Sequence, residues 1–238
     1  MNVVELPTES EPVRVVQGDC LDVLRSLPDG CVDAVITDPP YGVGLGIGND
    51  KRGGSPDKRH GLAKSGYVGG SDTYKEFLSV VPPAVRECLR LADRMAVFTG
   101  PHLWELPKAD AVGAVYCPSA VGRNAWGFKN LLPVLLYGKA PDLHKGAKEP
   151  TVWRSTERAQ PNGHPCPKPV SWMRWLVRLC TRPGELVLDP FAGSGTTAVA
   201  CLAEGRRCLL VEKEPAYAEI CRRRVREAMG TGLLAGVD

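Results

Sequence analysis

Two short stretches of this chain carry residue types that could do chemistry together. The first is Asp38-Pro39-Pro40-Tyr41, directly after the mostly apolar run Val32-Asp33-Ala34-Val35-Ile36-Thr37. An exocyclic amino group on a nucleobase is a poor nucleophile, because its lone pair is delocalised into the ring. The Asp38 carboxylate and the Pro39 carbonyl could each accept one of its N–H hydrogen bonds, favouring a tetrahedral nitrogen whose lone pair is free to attack. The prolines fix φ and hold that carbonyl in place. Tyr41 offers a face on which an extruded base can stack. In-line attack on an activated methyl group then needs positioning more than a strong base. The plainer reading of the same four residues is a rigid turn with a surface tyrosine.

The second stretch is Asp189-Pro190-Phe191-Ala192-Gly193-Ser194-Gly195-Thr196-Thr197, with Glu212 placed 23 residues after Asp189. Gly193, Gly195 and Ala198 formally match the turn that binds dinucleotides, so a nicotinamide-dependent oxidoreductase is a candidate of a different class. A P-loop is excluded, since Thr196-Thr197 stand where it requires Lys followed by Ser or Thr. The glycines let a ligand approach the backbone, and Glu212 at the tip of the next strand can accept from both hydroxyls of a ribose. A carboxylate directly before the turn would repel a pyrophosphate and suits a cationic, amine-bearing ligand. S-adenosylmethionine, with its ammonium and sulfonium beside an adenosine, satisfies Asp189 and Glu212 together. The oxidoreductase reading leaves Asp38–Tyr41 unexplained.

Elements that must position these stretches are legible from periodicity. Strands are predicted at 13–18, 32–37, 94–99, 185–188 and 207–211, with weaker candidates at 112–117 and 132–137. Helices are predicted from Asp19 to Leu27, 72–90, 170–180, 196–204 and 215–228, the second interrupted or restarted by Pro82-Pro83. Both candidate stretches fall at the carboxyl ends of strands, where open α/β sheets bind ligands. Residues 42–72 read as a long glycine-rich loop insertion and 138–166 as a short irregular segment.

The whole chain, 238 residues with 43% hydrophobic and 24% charged, suits a single α/β domain and excludes collagen-like and disordered classes. A net charge of +3 permits a polyanionic partner without demanding one. Nine cysteines, an odd number without a Cys-x-x-Cys pair, argue against a zinc knuckle or a disulfide framework, so no metal is expected. Glu5, Glu9 and Glu11 precede any apolar run, and nothing approaches ~18 uncharged apolar residues, so neither a signal peptide nor a membrane span is expected. A cytoplasmic protein fits best.

Taken jointly, the motifs resemble the DPPY-type DNA amino-methyltransferases in the circular permutation called the beta group. The resemblance rests on Gly18-Asp19-Cys20, Val32 to Tyr41, His164-Pro-Cys-Pro-Lys168-Pro169, Leu188 to Thr197 and Val211-Glu212, and covers about residues 13–225. It implies a Rossmann-like class I fold, a seven-stranded, mostly parallel sheet flanked by helices, with S-adenosylmethionine at the strand carboxyl ends. It places Asp19 and Cys20 near the adenine, Phe191 against it and Glu212 on the ribose. Asp189, Ala192, Gly193 and Gly195 would follow the methionine portion, with Lys168, Pro169, Val170 and Ser171 facing its carboxylate and Ser194 and Thr196 also in the cofactor site. Asp as first residue of the tetrapeptide favours adenine N6 over cytosine N4. The substrate implied is DNA, double-stranded with the target base flipped, in a bacterial or phage-encoded enzyme that can pair as a homodimer, in a restriction-modification setting.

The chain departs from many members by lacking a sizeable target-reading module before the Lys-Pro segment. Lys51, Arg52, Lys58 and Arg59, in the loop that follows the catalytic tetrapeptide, are therefore the expected phosphate contacts. The arginines at 222–226 read as a solvated helix face, the five tryptophans mostly as packing residues, and His102 as structural.

Overall fold

The computed structural model describes residues 4–44, 72–119, 122–124, 126–141 and 149–230. Lys51, Arg52, Lys58 and Arg59 lie outside the described residues. Along the chain run β1 (Val13–Gln17), α1 (Cys20–Ser26), β2 (Ala34–Thr37), α2 (Tyr74–Leu91), β3 (Met95–Phe98), β4 (Ala111–Tyr116), β5 (Gly122–Asn124) and β6 (Gly127–Lys129). They continue with β7 (Leu131–Tyr137), β8 (Val152–Arg154), α3 (Val170–Cys180), β9 (Leu186–Asp189), α4 (Thr196–Ala203), β10 (Arg207–Glu212) and α5 (Pro215–Gly230).

One sheet runs β1-β10-β9-β2-β3-β7-β4-β8, and β5 pairs β6 as a separate hairpin. Among the described strands of this sheet, only β7 runs antiparallel to its neighbours, β3 and β4. The seven expected strands are present, and an eighth, β8, adds to the β4 edge in parallel. It lies within 138–166, expected to be irregular. A three-residue edge strand is too short to leave a period in the sequence.

Every residue of β2, β3 and β9 is buried, as parallel strands covered on both faces must be. Alternate side chains feed two cores. Ala34 and Ile36 join Trp172, Leu176, Ala198 and Cys221 of α3, α4 and α5, while Val35 joins Val23, Leu24, Phe77, Val81 and Leu91 of α1 and α2. Among the described residues no helix is long and apolar enough to cross a membrane.

The expected break at Pro82-Pro83 does not occur: α2 continues through both. A capping box of Thr73 and Glu76 nucleates it, and Phe77, Val81, Pro82, Val85, Cys88 and Leu91 are buried along one stripe. That burial offsets the two lost backbone donors. Trp104 and Trp126 also depart from expectation, being 85% and 97% exposed, whereas Trp172 and Trp175 are core residues.

Candidate active site

Strands β2 and β9 are neighbours, with Val35 beside Leu188, so their carboxyl ends deliver the two chemical stretches side by side. The Thr37 hydroxyl donates to Asp189 Oδ1 across 2.7 Å, joining them directly. Asp189 is 2% exposed and also accepts from the Thr197 hydroxyl (2.5 Å) and the Phe191 N–H (3.0 Å). Burial pushes its carboxyl up to about 6, against the pull of those donors. Asp189 thus acts as the internal post to which both loops are tied.

The glycine turn itself needs its glycines. Gly193 and Gly195 have φ of +52° and +77°, a region costly for side-chain-bearing residues. A Cβ on Gly195 would stand 2.6 Å from Cys221 Sγ of α5, and one on Gly193 would stand 3.1 Å from His164 Nε2. The Glu212 carboxylate, at the tip of β10, accepts from the N–H groups of Gly193 (2.7 Å) and Glu214 (2.8 Å). Burial raises its pKa, those two donors opposing the rise. Gln17 of β1 pairs with Glu212, and the Gly18 N–H donates to its carbonyl, so Asp19 and Cys20 follow immediately beside it. Asp19 caps α1 through the Leu21 N–H (3.0 Å) and pairs with Lys213. Cys20 is buried, its thiol pushed up to about 12 by desolvation. Ala192 is buried with its N–H on the Val211 carbonyl, and Phe191 packs partly buried beside the α1–α2 core.

The loop carrying Asp38 to Tyr41 is held from both sides. The Tyr41 hydroxyl donates to Asp38 Oδ1 (2.5 Å), and the Lys168 ammonium donates to Asp38 Oδ2. Lys168 Nζ also stands 5.3 Å from the Tyr41 ring centroid and 5.7 Å from that of Phe98. The resemblance has Lys168 facing a ligand carboxylate. In this structure its carboxylate partner is Asp38. Pro169 is the N-cap of α3, Val170 packs against the core behind it, and the Ser171 hydroxyl donates to Glu157. Gly100 leaves room for Tyr41, since a Cβ there would meet Tyr41 Cβ at 2.9 Å. Asp72 accepts from the Gly42 N–H at 2.6 Å, tying the start of α2 to the chain just past Tyr41. His102 lies against Tyr74 and Phe77, the structural role expected of it.

Three residues of the site escape a reading of the sequence. Thr37 looks like the last residue of a buried strand. His164, in the motif but with no role assigned, stacks edge-on against Tyr217 and borders Gly193, and burial holds its imidazole down at about 4. Arg224 belongs to the cluster read as solvated, yet it turns inward. Its guanidinium donates to the Ser194 carbonyl (2.7 Å), the Ser194 hydroxyl (3.1 Å) and the Thr196 hydroxyl (3.1 Å), bracing the turn from behind. Asn162 also donates to the Ser194 hydroxyl. Ser194 and Thr196 therefore spend their hydroxyls inside the protein. Only three-dimensional packing separates Arg224 from Arg223 and Arg226, which keep to the surface. Among the described residues no cluster of His, Cys, Asp and Glu could hold a metal.

Comparison with known proteins gives the chain a family. The DNA methylase family model N6_N4_Mtase matches residues 124–223, which include Lys168 and the glycine turn. The Escherichia coli (strain K12) protein YubD, which carries the name of a methylase, is 30% identical over 212 residues, 84% of each chain. The type II methyltransferase M.HinfI of Haemophilus influenzae is 22% identical, spanning 90% of this chain and 68% of its own. A Thermus thermophilus protein carrying the name of DNA modification methylase, crystallised with S-adenosyl-L-methionine, superposes with a TM-score of 0.62 at 22% identity, covering 90% and 93% of the two chains. The cytosine-N4-specific PvuII DNA methyltransferase superposes at 0.59 with 16% identity over 95% and 94%. With that identity to YubD over most of both chains, this chain belongs to the N6/N4 DNA methylase family.

Proposed function

We propose that this DNA methylase moves the methyl group of S-adenosylmethionine to the N6 amino group of adenine. The observation that carries the reading is the join between the two loops. The amine acceptor Asp38 follows Thr37, and the Thr37 hydroxyl is bonded to Asp189 at the root of the glycine turn. A methyl donor lying along Gly193–Gly195, with its ribose on Glu212, is then brought beside an amine lying on Asp38 and the Pro39 carbonyl. Nicotinamide chemistry has no use for that juxtaposition.

Tyr41 and Lys168 already hydrogen-bond the two Asp38 oxygens, which fixes the carboxylate plane. Each oxygen keeps a second lone pair for an incoming N–H. The amine lone pair forms the new N–C bond while the C–S pair stays on sulfur, leaving a neutral thioether. Positive charge passes from sulfur to nitrogen, and the fixed Asp38 carboxylate stabilises it where it develops. The extra proton then leaves the nitrogen for Asp38 or water. The substrate form is duplex DNA with the target base extruded onto Tyr41. Aspartate at the head of the tetrapeptide favours adenine.

Long-read modification mapping of DNA from cells expressing the protein tests the reading, with Asp38→Ala as control. N6-methyladenine at a recurrent context, lost in the variant, is the expected result. N4-methylcytosine in its place would overturn the adenine assignment.

A further inference from the structure

We propose that the β5–β6 hairpin grips duplex DNA beside the target base, with Trp126 as its stacking residue. The proposal rests on the DNA-methylase reading above and adds the element that holds the substrate. It starts from strand register. Thr37 pairs with Val97, so Asp38 stands level with Phe98, which pairs with Val134. β7 extends three residues beyond that level to Leu131, opposite Tyr116 at the end of β4. At a rise of about 3.4 Å per residue the base of the hairpin stands about 10 Å beyond Asp38, on the catalytic edge. Sideways, β3 separates β2 from the β7–β4 pair, a distance of about 10–15 Å at ordinary strand spacing. That is roughly three to four base steps of a duplex.

The composition of the hairpin fits such a partner. Residues 117–130 carry Arg123 and Lys129 and contain neither Asp nor Glu. Trp126 at the tip is 97% exposed and Phe128 is 68% exposed. So exposed a tryptophan contributes almost nothing to folding by burial. The turn after β3, Leu103–Glu105, presents Trp104 at 85% exposure on the same edge. Aromatic faces in a segment with cationic residues and no acid are what bases and phosphates require. They would suit a second, net positive copy of this chain poorly.

The test is binding of a fluorescently labelled 30-base-pair duplex by the full-length protein across a salt series. Trp126→Ala should weaken binding about tenfold with an unchanged salt slope, the signature of lost stacking. Trp126→Phe should restore most of it. Lys129→Gln should lower the slope by about one, the signature of a lost phosphate contact. Melting temperature and S-adenosylmethionine affinity should stay at wild-type values in all three. Wild-type duplex affinity in Trp126→Ala would overturn the proposal, as would loss of self-association with duplex affinity intact. A wild-type protein that binds through Trp126 yet transfers no methyl group would sink the amine-transfer reading and leave the hairpin standing.

Discussion

Two aspartates end neighbouring parallel strands on the same edge of the sheet, and the fold puts them to opposite uses. Asp189 is 2% exposed and fully engaged by two threonine hydroxyls and a backbone N–H. Asp38, with a side chain 21% exposed, meets a tyrosine hydroxyl and a lysine ammonium. Burial raises the pKa of Asp189, and its three neutral donors rigidify the carboxylate and oppose that rise only in part. A cation beside a half-buried carboxylate compensates the charge and leaves lone pairs reachable from solvent. One aspartate holds the frame, and the other keeps oxygens reachable from solvent, as the proposed amine acceptor must.

Asp38→Ala should produce the largest change: methyl incorporation into DNA falls at least about a thousandfold, by loss of the carboxylate that stabilises the charge developing on the amine nitrogen. Its melting temperature and S-adenosylmethionine affinity should stay near wild type, as calorimetry can check. If both collapse instead, Asp38 is a frame residue like Asp189. Asp189→Ala should do the reverse in stability. It strands two buried hydroxyls and one N–H, costing about 3 kcal/mol or more in denaturant unfolding. Thr37→Val removes one hydroxyl from the join and should cost about 1 kcal/mol. A double-mutant cycle with Asp189→Asn would show whether that cost belongs to the Thr37–Asp189 bond.

The smallest effect is a pH dependence with two opposed slopes. Asp189 titrates at about 6 when folded against 3.8 ordinarily, so the folded state binds the extra proton and stability falls as pH rises from about 4 to about 6. His164 is held down at about 4 against 6.5, so the unfolded state binds the extra proton and stability falls as pH drops from about 6.5 to about 4. The two slopes oppose each other, and Glu212, whose pKa burial also raises, adds to the Asp189 side. His164→Gln removes the opposing slope, so its melting temperature relative to wild type should rise as pH falls from about 6 to about 4. A difference that stays constant across that window would remove His164 as a buried neutral imidazole.

Much of the fold is legible in the sequence alone. Strands β2, β3, β9 and β10 are apolar runs because both their faces are covered, and periodicity with the Pro183-Gly184 stop bounds α3 correctly at 170–180. β8 and the β5–β6 hairpin are not legible, since three-residue strands carry no periodic signal. α2 reads as broken at Pro82-Pro83, where a buried helix face in fact overrides a local breaker. In the site, Asp38, Tyr41, Glu212 and the turn glycines stand out because few other residue types could serve there. Lys168 stands out with them, but its partner does not.

Residue type and order along the chain determined the chemistry on offer: a carboxylate backed by two prolines after one strand, a glycine turn after another, and an acid at the tip of a third. These follow from local stereochemistry, since prolines fix φ and glycines alone sit comfortably at positive φ. Tertiary structure decided which carboxylate is buried and which is reachable. It turned Arg224 inward while its neighbours stayed outside, and it brought Lys168 to Asp38 across 130 residues of chain. Burial and long-range pairing depend on which surfaces meet once the sheet closes between its helices, and no short stretch of sequence encodes that meeting.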